Sequence, residues 1–107
     1  MKNLSDKKCV PCHGQAPRLS ADEISEYSKQ LSGWQLKNNR NLVKNFKFKD
    51  FKGALDFVNK IGAKAEAEGH HPDIEFGWGY VKIKLWTHAV DGLSENDFIL
   101  ATKIDAI

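Results

Sequence analysis

DFKGALDFVNKIGAKAEAEGHHPDIEFGWGYVKIKLWTH, residues 50–88, decides the fold. Its first half has the period of a helix. Phe51, Ala54, Leu55, Val58, Ile61, Gly62 and Ala65 fall at i, i+3, i+4 and i+7 and make one apolar stripe. Asp50 is the expected N-cap, because its carboxylate can accept from the free amides of the first turn. Gly69 supplies the stop and Pro72 prevents the helix from resuming. The second half switches to period two. Ile74, Phe76 and Trp78 alternate, and so do Val81, Ile83, Leu85 and Thr87, with Lys82, Lys84 and Trp86 on the opposite face. Gly77-Trp78-Gly79 is the expected hairpin connection.

The flanks read the same way. Ser20 and Glu23 form an S-x-x-E capping box, followed by a stripe of Ile24, Tyr27 and Leu31 and a stop at Gly33. Residues 34–36 predict a short strand, and residues 37–41 an Asn-rich turn. In a second strand, Leu42, Phe46 and Phe48 share one face. Beyond residue 88 a short loop, AVDG, leads into a helix with Ser94 as N-cap and Phe98, Ala101 and Ile104 as its stripe. The order αββαββα, with a hairpin on either side of the long helix, predicts an α+β two-layer plait: a four-stranded antiparallel sheet with helices on one face. Lys44, Lys47, Lys49, Lys52, Lys82 and Lys84 alternate with apolar residues as a wet strand face would, leaving that side for water or another subunit.

The chain has 107 residues, which predicts one folded domain. We expect a flexible N-terminal arm over 1–19 and the domain over 20–107. A net charge of +2 gives no basis for nucleic-acid or membrane-surface binding, and the strands lack the glycine-aromatic pattern of RNA-binding plaits. No apolar run suits a signal peptide or a membrane span, so a cytoplasmic, thiol-reducing setting is expected.

The arm carries Cys9, Cys12 and His13 in a C-x-x-C-H arrangement. Haem attachment is disfavoured by the lack of an export signal and of any Met beyond Met1 to serve as axial ligand. Zinc would need a fourth ligand, such as one from a second subunit. Thioredoxin-like chemistry would need a strand or helix N-terminus beside the thiols. The favoured reading is a reduced, dispensable arm.

Three of the four histidines, His70, His71 and His88, flank the second hairpin, whose outer ends must meet in space. Imidazole exchanges protons near neutral pH, so converging rings suit paired acid and base catalysis. Glu66, one turn before His70, and Asp97, in the first turn of the last helix, can orient them. Ser94-x-x-Asp97 is also a capping pattern, and the two roles are compatible. Three histidines could hold zinc, but adjacent His-His side chains diverge in extended backbone. No metal or cofactor is expected.

Glu66, A-E-G, His70-His71-Pro72, then Trp78, nine residues, His88 and finally Asp97 follow the signature of the pterin-4a-carbinolamine dehydratases, and residues 20 to 105 resemble that family throughout. The resemblance implies the same plait, assembled as a homodimer or homotetramer. It implies metal-free loss of water from 4a-hydroxytetrahydropterin to give quinonoid dihydropterin, in tetrahydropterin recycling beside an aromatic amino acid hydroxylase. It makes His70, His71 and His88 catalytic, puts Pro72, Thr87 and Ala89 at the pterin, and gives Glu66 and Asp97 supporting roles. Some animal relatives also serve a transcription factor as a dimerisation partner. One departure stands out: the acid that often follows T-H, and the Gly two places on, are here Ala89 and Asp91. The rival reading is a protein-interaction module, which has no need of the three histidines.

Overall fold

The computed structural model describes residues 17–107. Cys9, Cys12 and His13 therefore lie outside the described residues. Helix α1 (Ala21–Ser28) leads to strands β1 (Gln35–Lys37) and β2 (Asn41–Lys47). Helix α2 (Phe51–Glu68), strands β3 (Asp73–Gly77) and β4 (Tyr80–Leu85) and helix α3 (Glu95–Asp105) follow, with a 3-10 turn at His88–Val90 before α3. This is the expected αββαββα plait. All strand pairs are antiparallel, in the sheet order β1-β2-β4-β3.

The caps act as their chemistry dictates. Ser20 and Glu23 close a reciprocal capping box on α1, and the Asp50 carboxylate accepts from the Gly53 amide at 2.8 Å. The stripe of α1 was expected to reach Leu31, but the helix stops at Ser28. The amides of Gln30 and Leu31 bond three residues back, to Tyr27 and Ser28, which tightens the chain out of α geometry. Leu31 still packs on the core. In the first hairpin, Asn38 and Asn39 take φ of 55° and 53°, the pair of positive values that a type I′ turn requires and asparagine tolerates. The second hairpin turns at Trp78 and Gly79 alone, with Gly77 still in β3.

Paired residues place Leu42, Phe46, Val81, Ile83, Leu85, Ile74 and Phe76 on one sheet face. Ala54 and Ile61 of α2 and Phe98, Leu100 and Ile104 of α3 pack on that face. Fully burying a side chain such as Phe98 contributes about 1.5–3 kcal/mol. Leu19, which composition assigns to the arm, joins this core, and its amide donates to the Leu93 carbonyl at 2.8 Å.

Lys44 corrects the alternation reading. It pairs with Ile83, so it lies on the core face between Leu42 and Phe46. Its stem covers apolar surface while its ammonium reaches Asp105 at 2.8 Å and the Ser32 carbonyl at 2.9 Å.

Tyr27 stacks on Phe98 and donates its hydroxyl to the Glu95 carboxylate, joining α1 to α3. That bond, then burial, then the charges of Glu95 and Glu23, push the phenol from 10.0 up to about 12. A raised folded value means the contact stabilises fully below the unfolded pKa and is lost as pH climbs through the folded one. Spectrophotometric titration is expected to show this phenol ionising near pH 12, and Glu95→Gln to bring it back toward 10.0. Among the described residues no helix is long and apolar enough to cross a membrane.

Candidate active site

The site begins where α2 ends. Gly69 has φ 66°, the left-handed value that L side chains resist. Its amide bonds to the Glu66 carbonyl and that of His70 to the Ala65 carbonyl, a complete Schellman turn. The turn reverses the chain and delivers His70, His71 and Pro72 to the start of β3. Because β3 and β4 are antiparallel neighbours, the start of β3 lies beside the end of β4, where His88 follows. A Cβ on Gly69 would meet open space, so Gly69→Ala carries only the backbone cost. We expect it to lower stability by about 1–2 kcal/mol in urea titration, with Gly69→Asn costing less.

The three histidines line one open cleft of about 330 Å³ with Pro72, Ala89, Gly69, Asp73 and Trp86. They are not equivalent. His70 is buried, and its Nε2 lies 2.6 Å from Asp97 Oδ1. Asp97 is fully buried, and its other oxygen accepts from Thr87 Oγ1 at 2.8 Å and the Ser94 amide at 3.0 Å. Thr87 and Ser94 hydroxyls are 2.7 Å apart. Thr87 has one hydroxyl proton and gives it to Asp97, so Ser94 is the donor to Thr87. The positive end of α3 and these donors suit an ionised Asp97 carboxylate. A carboxylate only accepts, so the bond to it is made by a proton on His70 Nε2.

His71 is exposed, with Nε2 3.2 Å from Glu66, a solvated contact of little strength. His88 is also exposed, and its ring lies on the Trp86 indole at 3.9 Å between centroids and 36° between planes.

Among the residues singled out in the sequence, His70, His71, Pro72, His88 and Ala89 meet at the cleft. Thr87 and Asp97 stand beneath it as the support of His70, and Thr87 turns its hydroxyl inward instead of lining the wall. Glu66 reaches His71. Trp78 is 70% exposed at the far turn of the hairpin, the length of β3 away. Asp91 takes φ 48° and pairs with Arg40 at 3.4 Å. Backbone bonds between Thr87 and Gly92 close the loop that carries Ala89. Sequence reading missed Asp73 and Trp86. The available signal was that Trp86 lies on the lysine-bearing face two residues before His88. Among the described residues, no three His, Cys, Asp or Glu side chains are grouped to hold a metal ion.

A plait whose hairpin ends bring three histidines to one cleft, over a buried carboxylate, frames the candidate site. The profile of the family described as "Pterin 4 alpha carbinolamine dehydratase" matches residues 17–107, and the chain belongs to that family. It is 46% identical to a protein of Rubrobacter xylanophilus over the full length of both. It is 54% identical to one of Alkaliphilus metalliredigens, over 98% of this chain and 96% of that one. Both carry the name "Putative pterin-4-alpha-carbinolamine dehydratase". Among solved structures, a "transcriptional coactivator/pterin dehydratase" from Brucella melitensis superposes with a TM-score of 0.78 at 36% identity, covering 83% of this chain and 96% of that one. A pterin dehydratase-like protein described as a RuBisCO assembly factor in the alpha-carboxysome gives 0.60 at 30% identity, over 70% and 88%.

Proposed function

We propose that this chain dehydrates pterin-4a-carbinolamine to quinonoid dihydropterin by histidine acid–base catalysis. The observation that carries the reading is the joining of His70, His71 and His88 at one cleft, with Asp97 buried behind His70. The cleft volume suits a small bicyclic ligand. In the substrate, the carbon that loses hydroxyl is bonded to a ring nitrogen. The lone pair of that nitrogen forms a C=N bond as the C–O bond breaks. One proton must reach the departing oxygen and one must leave the ring, so the net loss is water. His70 and His88 carry these two proton transfers between them. His71 holds the pterin. Pro72 and Ala89 form part of the wall.

The physiological role that fits is tetrahydropterin recycling beside an aromatic amino acid hydroxylase, by a homodimer or homotetramer. The test is the dehydration rate of chemically generated 4a-hydroxytetrahydropterin with chelator-treated protein. Turnover well above the solution rate, retained after chelation, supports the reading. A rate equal to buffer alone, or one restored only by added zinc, sinks it.

A further inference from the structure

The ladder between β3 and β4 ends at the pair Asp73–Lys84, short of both sets of histidines. Beyond that pair, a side-chain bond crosses between the strand ends: Trp86 Nε1 donates to Asp73 Oδ2 at 3.3 Å. Asp73 follows directly on His70-His71-Pro72, and Trp86 precedes His88 by two residues. The indole so held is the surface on which the His88 ring lies. Lys84 Nζ, 6.0 Å from the indole centroid, flanks the same ring. An exposed imidazole on a 3-10 turn has several staggered orientations open to it; stacking on a fixed plane selects among them.

We propose that Trp86, anchored by Asp73, is the positioning residue for His88. The Asp73–Trp86 bond couples the beginning of β3 to the end of β4. It thereby sets His88 relative to His70 and His71, which the hydrogen-bond ladder does not reach. The inference rests on the dehydratase reading for its kinetic consequence only. The ring orientation itself is open to direct observation.

The experiment compares wild type with Trp86→Leu, Trp86→Phe, Asp73→Ala and Asp73→Asn. Two quantities are read: the proton NMR shifts of the His88 ring, and kcat and KM for carbinolamine dehydration. In wild type the indole ring current moves the His88 ring protons upfield. Trp86→Leu is expected to abolish that displacement and lower kcat by about 10–100-fold with little change in KM, as misplacement of a catalytic group does. Trp86→Phe recovers most of both losses, because a flat face is restored. Asp73→Ala shifts the signals toward Trp86→Leu, and Asp73→Asn, which keeps an acceptor, shifts them less. If the His88 protons show no upfield displacement in wild type, or keep it in Trp86→Leu, the proposal is overturned. It is also overturned if Trp86→Leu turns over like wild type. If wild type does not turn over at all, the dehydratase reading fails, and the NMR series alone decides whether Trp86 positions His88.

Discussion

Replacing His88 with alanine is expected to lower kcat for carbinolamine dehydration by about 10²–10⁴-fold, the usual worth of one positioned acid or base. His70→Ala should fall in the same range. The double variant should lose far less than the product of the two, because proton delivery and removal act on one transition state and a cleft that lacks either partner already falls toward the solution rate. His71→Ala should differ in kind. Its ring is exposed and only loosely held by Glu66, so its loss is expected to raise KM more than it lowers kcat. Rapid-mixing absorbance kinetics on wild type and the four variants separates these effects. Equal rates for wild type and the double variant would falsify the assignment of proton transfer to these rings.

The largest expected effect on stability comes from Asp97→Ala. The carboxylate holds His70, Thr87 and the Ser94 amide in a fully buried site. Truncation leaves the His70 N–H and the Ser94 N–H without their acceptor. It also removes a favourable charge from the first turn of α3. Breaking a buried, hydrogen-bonded pair in this way costs about 3–5 kcal/mol, a large part of the roughly 5–15 kcal/mol that holds a domain together. Asp97→Asn keeps the shape but meets three donors with one oxygen and adds two donors of its own. It should fall between wild type and Asp97→Ala. Urea titration reads the cost. A midpoint for Asp97→Ala equal to that of wild type would show that the network contributes nothing to folding.

The parts of the fold written as periodicity were legible. Asp50, the stripe from Phe51 to Ala65 and Gly69 define α2 without ambiguity, and its observed bounds follow them. Convergence of His70, His71 and His88 followed from the hairpin alone. The errors came where an i,i+3 or period-two pattern has more than one structural meaning. Leu31 packs on the core from outside the helix that its spacing suggested. Lys44 looks like a solvated strand residue until Asp105, far away in sequence, supplies a counter-ion on the core face. Thr87 and Asp97 were singled out from the sequence. That they lie under the cleft as one bonded chain depends on how α3 approaches β4, which no local pattern records. Trp86 was placed on its face, but its bond to Asp73 needed the register of β3 against β4.

The sheet order has a consequence for how this site comes into being. His70 and Asp97 are the most widely separated partners in the site, 27 residues apart, and everything between them belongs to one hairpin and the approach to α3. Loop-closure entropy grows only with the logarithm of length, so assembling the cleft asks little of the rest of the chain. The site is thus local in sequence, carried on the hairpin, the 3-10 turn and the first turn of α3. The α1–β1–β2 half contributes support to it, through the β2–β4 ladder, the Tyr27–Glu95 bond and the Arg40–Asp91 pair.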